Sequence, residues 1–239
     1  MLSSDPSGMK PKLTPELAEI VAIITGDGHL QIKQWRYLVS FYSKDLEDIN
    51  RVNDLFKKVF DIEGRIYEDN SHSKKTRGST LRYKLFFISK PVTLLLHELG
   101  VTKGNKTNTS FQVPEWILGS SNLVKGAYLR GIFDCEGYVC CSRLKTGKTR
   151  WQISIKMCKN EILLSNGLLF MNQLRELLFS FDIKCSPVRA AKENIRKDGS
   201  QSMSMRFDIE KSSFRNFYKY VGFHIKEKQV RILSALNQN

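Results

Sequence analysis

Apolar residues recur at helical spacing over residues 14–25, with Pro15 suited to a first helical turn, and the pattern stops at Gly26-Asp27-Gly28. The rhythm then changes to alternation, which predicts strands over residues 29–33 and 36–42. Helical spacing returns over residues 45–60, where Leu46, Ile49, Val52, Asn53, Phe56, Val59 and Phe60 share a face. Residues 65–68 and 81–88 predict two more strands, joined by a polar loop at 69–79. A helix over 91–99 stops at Gly100.

After a connector over residues 107–119 the same order repeats. A helix over 122–133 ends at Asp134-Cys-Glu-Gly137, followed by strands over 138–143 and 150–157 and a long helix over 160–181. Strands over 186–191 and 202–209 and helices over 211–221 and 226–236 complete the chain. Each half therefore reads helix–strand–strand–helix–strand–strand–helix. The expected fold class is α+β: tandem αββαββα units with two antiparallel sheets and a two-helix interface. The divisions are a flexible arm at 1–13, a first half at 14–110, a linker at 111–119 and a second half at 120–239.

Composition narrows the partners. Hydrophobic residues make up 41% of 239 residues, enough for real cores. With 38 Lys+Arg against 24 Asp+Glu the net charge is +14, which attracts polyanions, nucleic acid first. No apolar run approaches the roughly 20 residues a bilayer requires, so no membrane partner is expected. The polar start, with Pro6 and Pro11, is no secretory signal. Cys135, Cys140, Cys141, Cys158 and Cys185 form no CxxC pair, which argues against a disulfide framework or a zinc site. The simplest expectation is a reduced, intracellular protein, cytoplasmic or nucleoid-associated.

The chemistry concentrates in two segments, Ile20-Val-Ala-Ile-Ile-Thr-Gly-Asp-Gly28 and Leu129-Arg-Gly-Ile-Phe-Asp-Cys-Glu-Gly137. Both are apolar helices with small residues (Ala18, Ala22, Gly126, Gly131) where two helices could approach closely, and both end in an acid and a glycine. A helix C-terminus already carries partial negative charge and unpaired carbonyls. A carboxylate there is unfavourable unless a cation compensates. Two such ends side by side would bring Asp27 and Glu136 together with the carbonyls of Gly26 and Cys135, an oxygen-rich set suited to Mg²⁺ or Mn²⁺. Each acid–Gly pair could instead merely end its helix, but two copies at matching places in a repeat speak against that.

These segments resemble the paired motifs of the LAGLIDADG homing endonucleases, single-chain type, and the likeness extends over residues 14–236. The second copy matches well; the first departs, with Thr25 where an acid is often found and Val21-Ala22 in place of Ala-Gly. The resemblance implies motif helices packed at an interface, terminal acids that hold the metals cutting both strands, and two saddle-shaped sheets in the DNA major groove. It also implies basic residues near the end of each half beside the scissile phosphate: Lys226 in the second half, and either Lys103 or Lys106 in the first. Lys44 and Lys159, each after a strand and before a central helix, form another matching pair. Their alternative reading is helix-start solvation or phosphate contact.

Alternation predicts the DNA-reading faces. In the first half His29, Gln31, Lys33, Arg36, Ser40 and Tyr42 point outward, extended by Arg65, Tyr67, Arg82 and Lys84. In the second, Tyr138, Cys140 and Ser142 share a face, as do Arg150, Gln152, Ser154 and Lys156. Arg189, Met203, Met205 and Arg206 lie on strands that alternate poorly. Arg and Gln suit base edges, Lys suits phosphate.

Other chemistries find little support. His29, His72, His97 and His224 are scattered, and Lys145-Thr-Gly-Lys-Thr149 lacks the spacing of a phosphate loop and reads as a hairpin turn. No small-molecule cofactor is implied. Met1 and Asn239 offer no splicing context, which favours an intron-encoded or free-standing enzyme over an intein. With both halves in one chain, a monomer on an asymmetric double-stranded target is expected. The competing expectation is a non-catalytic nucleic-acid binder of the same fold, an intron RNA maturase or a transcriptional regulator; retention of both acids argues for cutting.

Overall fold

The computed structural model describes residues 11–68, 81–143, 146–147, 149–196 and 198–238. Most of the expected arm, the polar loop at 69–79, and Lys145 and Lys148 of the hairpin turn lie outside the described residues. The first half runs α1 (Pro15–Gly26), β1 (Gly28–Lys33), β2 (Arg36–Ser43), α2 (Leu46–Phe60), β3 (Arg65–Glu68), β4 (Tyr83–Ile88) and α3 (Lys90–Glu98). A 3₁₀ turn at Lys106–Asn108 and a short helix, α4 (Glu115–Leu118), lead to the second half. That half runs α5 (Asn122–Glu136), β5 (Gly137–Arg143), β6 (Thr149–Asn160), α6 (Leu164–Phe179), β7 (Arg189–Ile195), β8 (Gln201–Ile209), α7 (Phe214–Tyr220) and α8 (Lys226–Asn237).

Both sheets are four-stranded, in the matching orders β1-β2-β4-β3 and β5-β6-β8-β7, with every pairing antiparallel. The duplicated α+β architecture is thus present. Local signals start and stop the helices. The Thr14 side chain accepts from the Leu17 N–H and Asp45 from the Glu47 N–H, which satisfies donors that the first helical turn leaves free. At Gly100, φ is +103°, and the N–H groups of Gly100 and Val101 return to the carbonyls of His97 and Leu96.

Several boundaries differ from expectation; β7, for one, runs Arg189–Ile195 rather than 186–191. Strand β6 continues to Asn160 rather than stopping at 157, so the following helix begins only at Leu164, after a 3₁₀ turn at Glu161–Leu163. The connector is no loose tether. Phe111, Val113 and Ile117 are buried; the Phe111 backbone exchanges two hydrogen bonds with the Asn166 amide, both 3.1 Å, and the Val113 N–H donates to Gln173 at 2.9 Å. The connector is seated on α6, which makes it part of the second half's core. Among the described residues no helix is long and apolar enough to cross a membrane.

The core is continuous through both halves, and α1 with α5 is its most extensively packed helix pair. Small side chains set their approach. A Cβ at Gly131 would lie 2.7 Å from the Ala22 Cβ and 3.1 Å from the Glu19 carbonyl, and one at Gly26 would lie 2.4 Å from the Cys135 Cβ. Ala22 and Gly26 are one turn apart on α1, as Gly131 and Cys135 are on α5, so two successive turns interlock. Gly126 serves a different contact: its missing Cβ makes room for the Tyr220 carbonyl, 2.8 Å away, at the end of α7.

Candidate functional site

The interlocked turns bring the C-termini of α1 and α5 side by side, with the Cys135 Sγ 3.8 Å from the Ile23 carbonyl. Asp27 caps α1 and Glu136 is the last residue of α5. The chain then doubles back into a strand so sharply that a Cβ at Gly28 would fall 2.5 Å from the Ile24 Cα, and one at Gly137 would fall 2.6 Å from the Phe133 carbonyl. The glycine of each acid–Gly pair is therefore a steric requirement of a helix running straight into a sheet, whereas the acid before it is not. Asp27 opens onto a groove and Glu136 is half-buried. Burial raises the pKa of both; Glu136 is pushed up to about 7, by burial first and then by the Asp27 charge. Two carboxylates that resist ionising together at helix ends form a site short of positive charge.

Two lysines supply part of it. The Lys106 ammonium donates to the carbonyls of Ile24 (3.1 Å) and Gly26 at the end of α1. The Lys228 ammonium donates to those of Phe133 (3.3 Å) and Asp134 (2.5 Å) in the last turn of α5. Burial, more than any other influence, lowers both pKa values despite the neighbouring acids. Between Lys103 and Lys106, it is Lys106 that reaches the helix end; Lys103 is exposed, on a segment bridged to Leu30. In the second half the expectation of Lys226 is corrected: it is exposed and paired with Glu47 at 2.5 Å, while Lys228, two residues on, points to the acids. Both sit in the first turn of α8, roughly 200° apart around the helix. Nothing in the sequence separates them.

The second pair of lysines also divides. Lys44 is exposed beside Asp27 and Lys228 in a groove of about 800 Å³. Lys159 is buried, only 1% exposed, contrary to its expected role at the reacting centre. Because β6 runs three residues longer than anticipated, Lys159 has the parity of Ile153, Ile155 and Met157 and faces the interior. A second cleft of about 450 Å³, lined by Glu136, Lys106 and His29 among others, lies on that side. Burial lowers the His29 pKa, followed by the Lys106 and Lys84 charges.

The set of candidate metal ligands narrows on inspection. The Gly26 carbonyl is occupied by Lys106 rather than free for an ion. Among the described residues no three His, Cys, Asp or Glu side chains are arranged so that they could hold a metal ion. The two carboxylates and the Cys135 carbonyl remain. That donor set fits Mg²⁺ or Mn²⁺, which keep several waters and take one or two carboxylates plus substrate phosphate oxygens.

A polar cluster absent from the sequence reading ties the halves together beneath these ends. The Asp134 carboxylate accepts from the N–H groups of His224 (3.0 Å) and Ile225 (3.3 Å), fastening the start of α8 to α5. The His224 ring lies 3.1 Å from Glu19 and 3.5 Å from Asp134, and Arg51 binds Glu19 and Asp48. Hydrogen bonds to Asp134 and then Glu19 raise the His224 pKa to about 9. Glu19 stays below the usual carboxylate range: burial opposes this, but His224 and Arg51 together outweigh it.

Register fixes the sheet faces. His29 opposes Ser40, Lys33 opposes Arg36, Tyr42 opposes Lys84, and Tyr67 opposes Lys84, so the expected residues of the first half share one face, with Gln31 and Arg65. Leu38, Phe86 and Ile88 share it too, an apolar strip that alternation did not anticipate. Ser40, expected on the outward face, is corrected: it is buried, with an unpartnered Oγ. In the second half Tyr138 opposes Ser154, Cys140 opposes Gln152, and Ser142 opposes Arg150. Ser154 is also buried, 2.6 Å from Asp208. The poorly alternating strands resolve: Met203 and Met205 are core residues, while Arg189 and Arg206 oppose each other on the outer face with Lys156.

Residues 14–126 match a family model described as LAGLIDADG-like domain. The isomerizing glutamine–fructose-6-phosphate aminotransferase of Methanocaldococcus jannaschii is 30% identical over 94% of this chain and 18% of its own. A tRNA-splicing ligase RtcB of Pyrococcus furiosus is 26% identical over 89% of this chain and 21% of its own. The chain thus spans about a fifth of the length of these curated relatives. Among solved structures, the homing endonuclease I-WcaI bound to its DNA recognition sequence has a TM-score of 0.56 at 15% identity, over 97% of this chain and 95% of that one. I-DmoI in complex with DNA and Ca has a TM-score of 0.54 at 17% identity, over 95% and 99%. Full-length DUF199/WhiA has a TM-score of 0.52 at 16% identity, over 97% and 62%. At such identities the likeness is one of fold.

Proposed function

From a chain whose residues 14–126 are a LAGLIDADG-like domain and whose fold throughout is that of the LAGLIDADG homing endonucleases, we propose a site-specific, metal-dependent double-strand DNA endonuclease acting as a monomer on a long asymmetric target. One observation carries this reading: Asp27 and Glu136 stand together at the ends of two interlocked helices, each end capped by a half-buried lysine. A pure binding protein gains nothing from two carboxylates whose ionisation burial opposes. Asp27 and Glu136 would hold Mg²⁺ or Mn²⁺, which when bound lowers the pKa of a water and neutralises charge on the phosphate. Lys106 and Lys228 keep positive charge beside the acids, where it favours the extra negative charge of the transition state. The two sheets, with Arg36, Arg65, Gln31, Gln152, Arg150 and Arg189 outward, would lie along the major groove.

Two relatives with unrelated names share only this stretch of their length, which supports a self-contained module carried within larger chains. Selection of cleaved duplexes from a randomised library with Mg²⁺ tests the proposal. Recovery of a single asymmetric site cut in both strands is the expected result; site-specific retention without scission would establish the alternative, a non-catalytic binder of the same fold.

A further inference from the structure

Lys159 is a fully buried ammonium that the proposed chemistry does not use. Its Nζ donates to the carbonyls of Lys106 at 2.8 Å and Thr109 at 2.6 Å, and lies 3.6 Å from the centroid of the Phe111 ring. An ammonium has three N–H bonds; two are spent on these carbonyls and the ring face takes the remaining charge. The stem is accommodated just as specifically: a Cβ at Gly167, on α6, would lie 3.0 Å from the Lys159 Cγ. Strand β6 belongs to the second half, whereas the turn it grips, Lys106–Asn108, closes the first. That same turn carries Lys106, whose own ammonium holds the end of α1. The chain of contacts runs from the second sheet through Lys159 to the Lys106 carbonyl, and from the Lys106 side chain to the helix end beside Asp27.

We propose that Lys159 is a positioning residue, an inter-half clamp that fixes Lys106 in the cleft it shares with Glu136; the consequence for cleavage rests on the function proposed above. The second half needs no such clamp, because Asp134 grips the N–H groups of His224 and Ile225 and thereby sets Lys228. One lysine is placed by a buried cation on carbonyls, the other by a buried anion on amides. Removing the Lys159 charge leaves two carbonyls without a donor in a buried pocket, so the turn loosens instead of repacking.

The test begins with metal-free protein. In Lys159→Met, which keeps the stem, and in Lys159→Gln, which keeps an NH₂ donor without the charge, hydrogen exchange over residues 104–111 should rise by about tenfold or more for the Met variant and less for Gln, with residues 222–228 unchanged. In the wild type, amine acylation should modify Lys44 readily and Lys159 only on unfolding. Unchanged exchange at 104–111, an equal rise in both segments, or acylation of Lys159 as fast as Lys44 would overturn the clamp. With a cleavable duplex, Lys159→Met should slow one strand by about tenfold and accumulate nicked product at unchanged affinity; equal slowing of both strands overturns the inference. A wild type that cuts no duplex would overturn the proposed function and leave the exchange result standing.

Discussion

The first sheet presents Lys33, Arg36, Arg65, Arg82 and Lys84 on its outer face, and among the described residues none of them pairs with an acid. Arg82 rests against the Tyr42 ring, and Lys84 against the rings of Tyr42 and Phe86. On the second sheet Arg189 and Arg206 both bind Asp208, and Lys156 binds Glu193. An acid at the centre of a DNA-facing surface repels phosphate, so its presence lowers attraction there. In exchange it holds two guanidinium groups in fixed positions, where planar donors can meet base edges without first being ordered. On the proposed function, open cations would serve mainly attraction and held cations mainly aim. Duplicated halves thus arrive at different divisions of the same work.

The largest test of that division lies where the halves meet. Asp27→Asn or Glu136→Gln should each reduce double-strand scission by at least about 100-fold while leaving target affinity within a few-fold, because the sheets are untouched. Strand-resolved gels would show whether the two acids serve the strands unequally; wild-type scission by either variant would refute the paired site. Glu136→Gln carries a second signature. A carboxyl whose folded pKa is raised from 4.5 to about 7 adds stability that is full below the lower value and lost as pH rises through the upper. Metal-free Glu136→Gln should therefore melt above the wild type at pH 8 and no higher at pH 4, and Mg²⁺ should raise the wild-type melting temperature only.

Gly131→Leu should follow in size. Its side chain would enter space held by Ala22 and the Glu19 carbonyl, pushing the helix ends apart. Scission should fall sharply at temperatures where circular dichroism still reports folded protein; retained scission would mean that the helix contact does not set the acids. Smaller again is the contrast within α8. Lys228→Met should slow cleavage by about tenfold or more, while Lys226→Met, which loses only an exposed ion pair, should change the rate by less than about twofold.

The two sheets separate most directly in binding. Asp208→Asn should relax base preference in the half-site that the second sheet reads and raise non-specific affinity, since two arginines lose their anchor. Lys84→Ala should weaken every sequence alike and lower the slope of affinity against salt by about one ion. If Asp208→Asn left the cleavage profile of single-base variants unchanged, held arginines would not be the source of aim. The smallest effect concerns the junction. His224 has a folded pKa raised from 6.5 to about 9, so its contribution to stability is full below the first value and lost as pH rises through the second. His224→Gln should lower the melting temperature most at pH 6 and least above pH 9.

Sequence alone determined the order of elements, the duplication, and the two acids, because each is written in local terms: spacing of apolar residues and acid–Gly at a helix end. Tertiary structure decided whatever depended on how far a strand ran and what lay across from it. Lys159 changed from a candidate at the reacting centre to a buried clamp because β6 extends to Asn160 and parity turned the side chain inward. Met205 and Arg206 look interchangeable on a poorly alternating strand until pairing with β6 sets one in the core and the other beside Arg189. Ser40 and Ser154 have the parity of the outward-facing residues but are buried, a property of neighbours distant in the chain. Lys226 and Lys228 differ only in direction around one helix, and that direction acquires meaning once Asp134 fixes the start of α8 against the acids. Periodicity is a local property that short stretches reveal; burial, register and the far end of a long side chain are set by contacts that only the folded chain brings together.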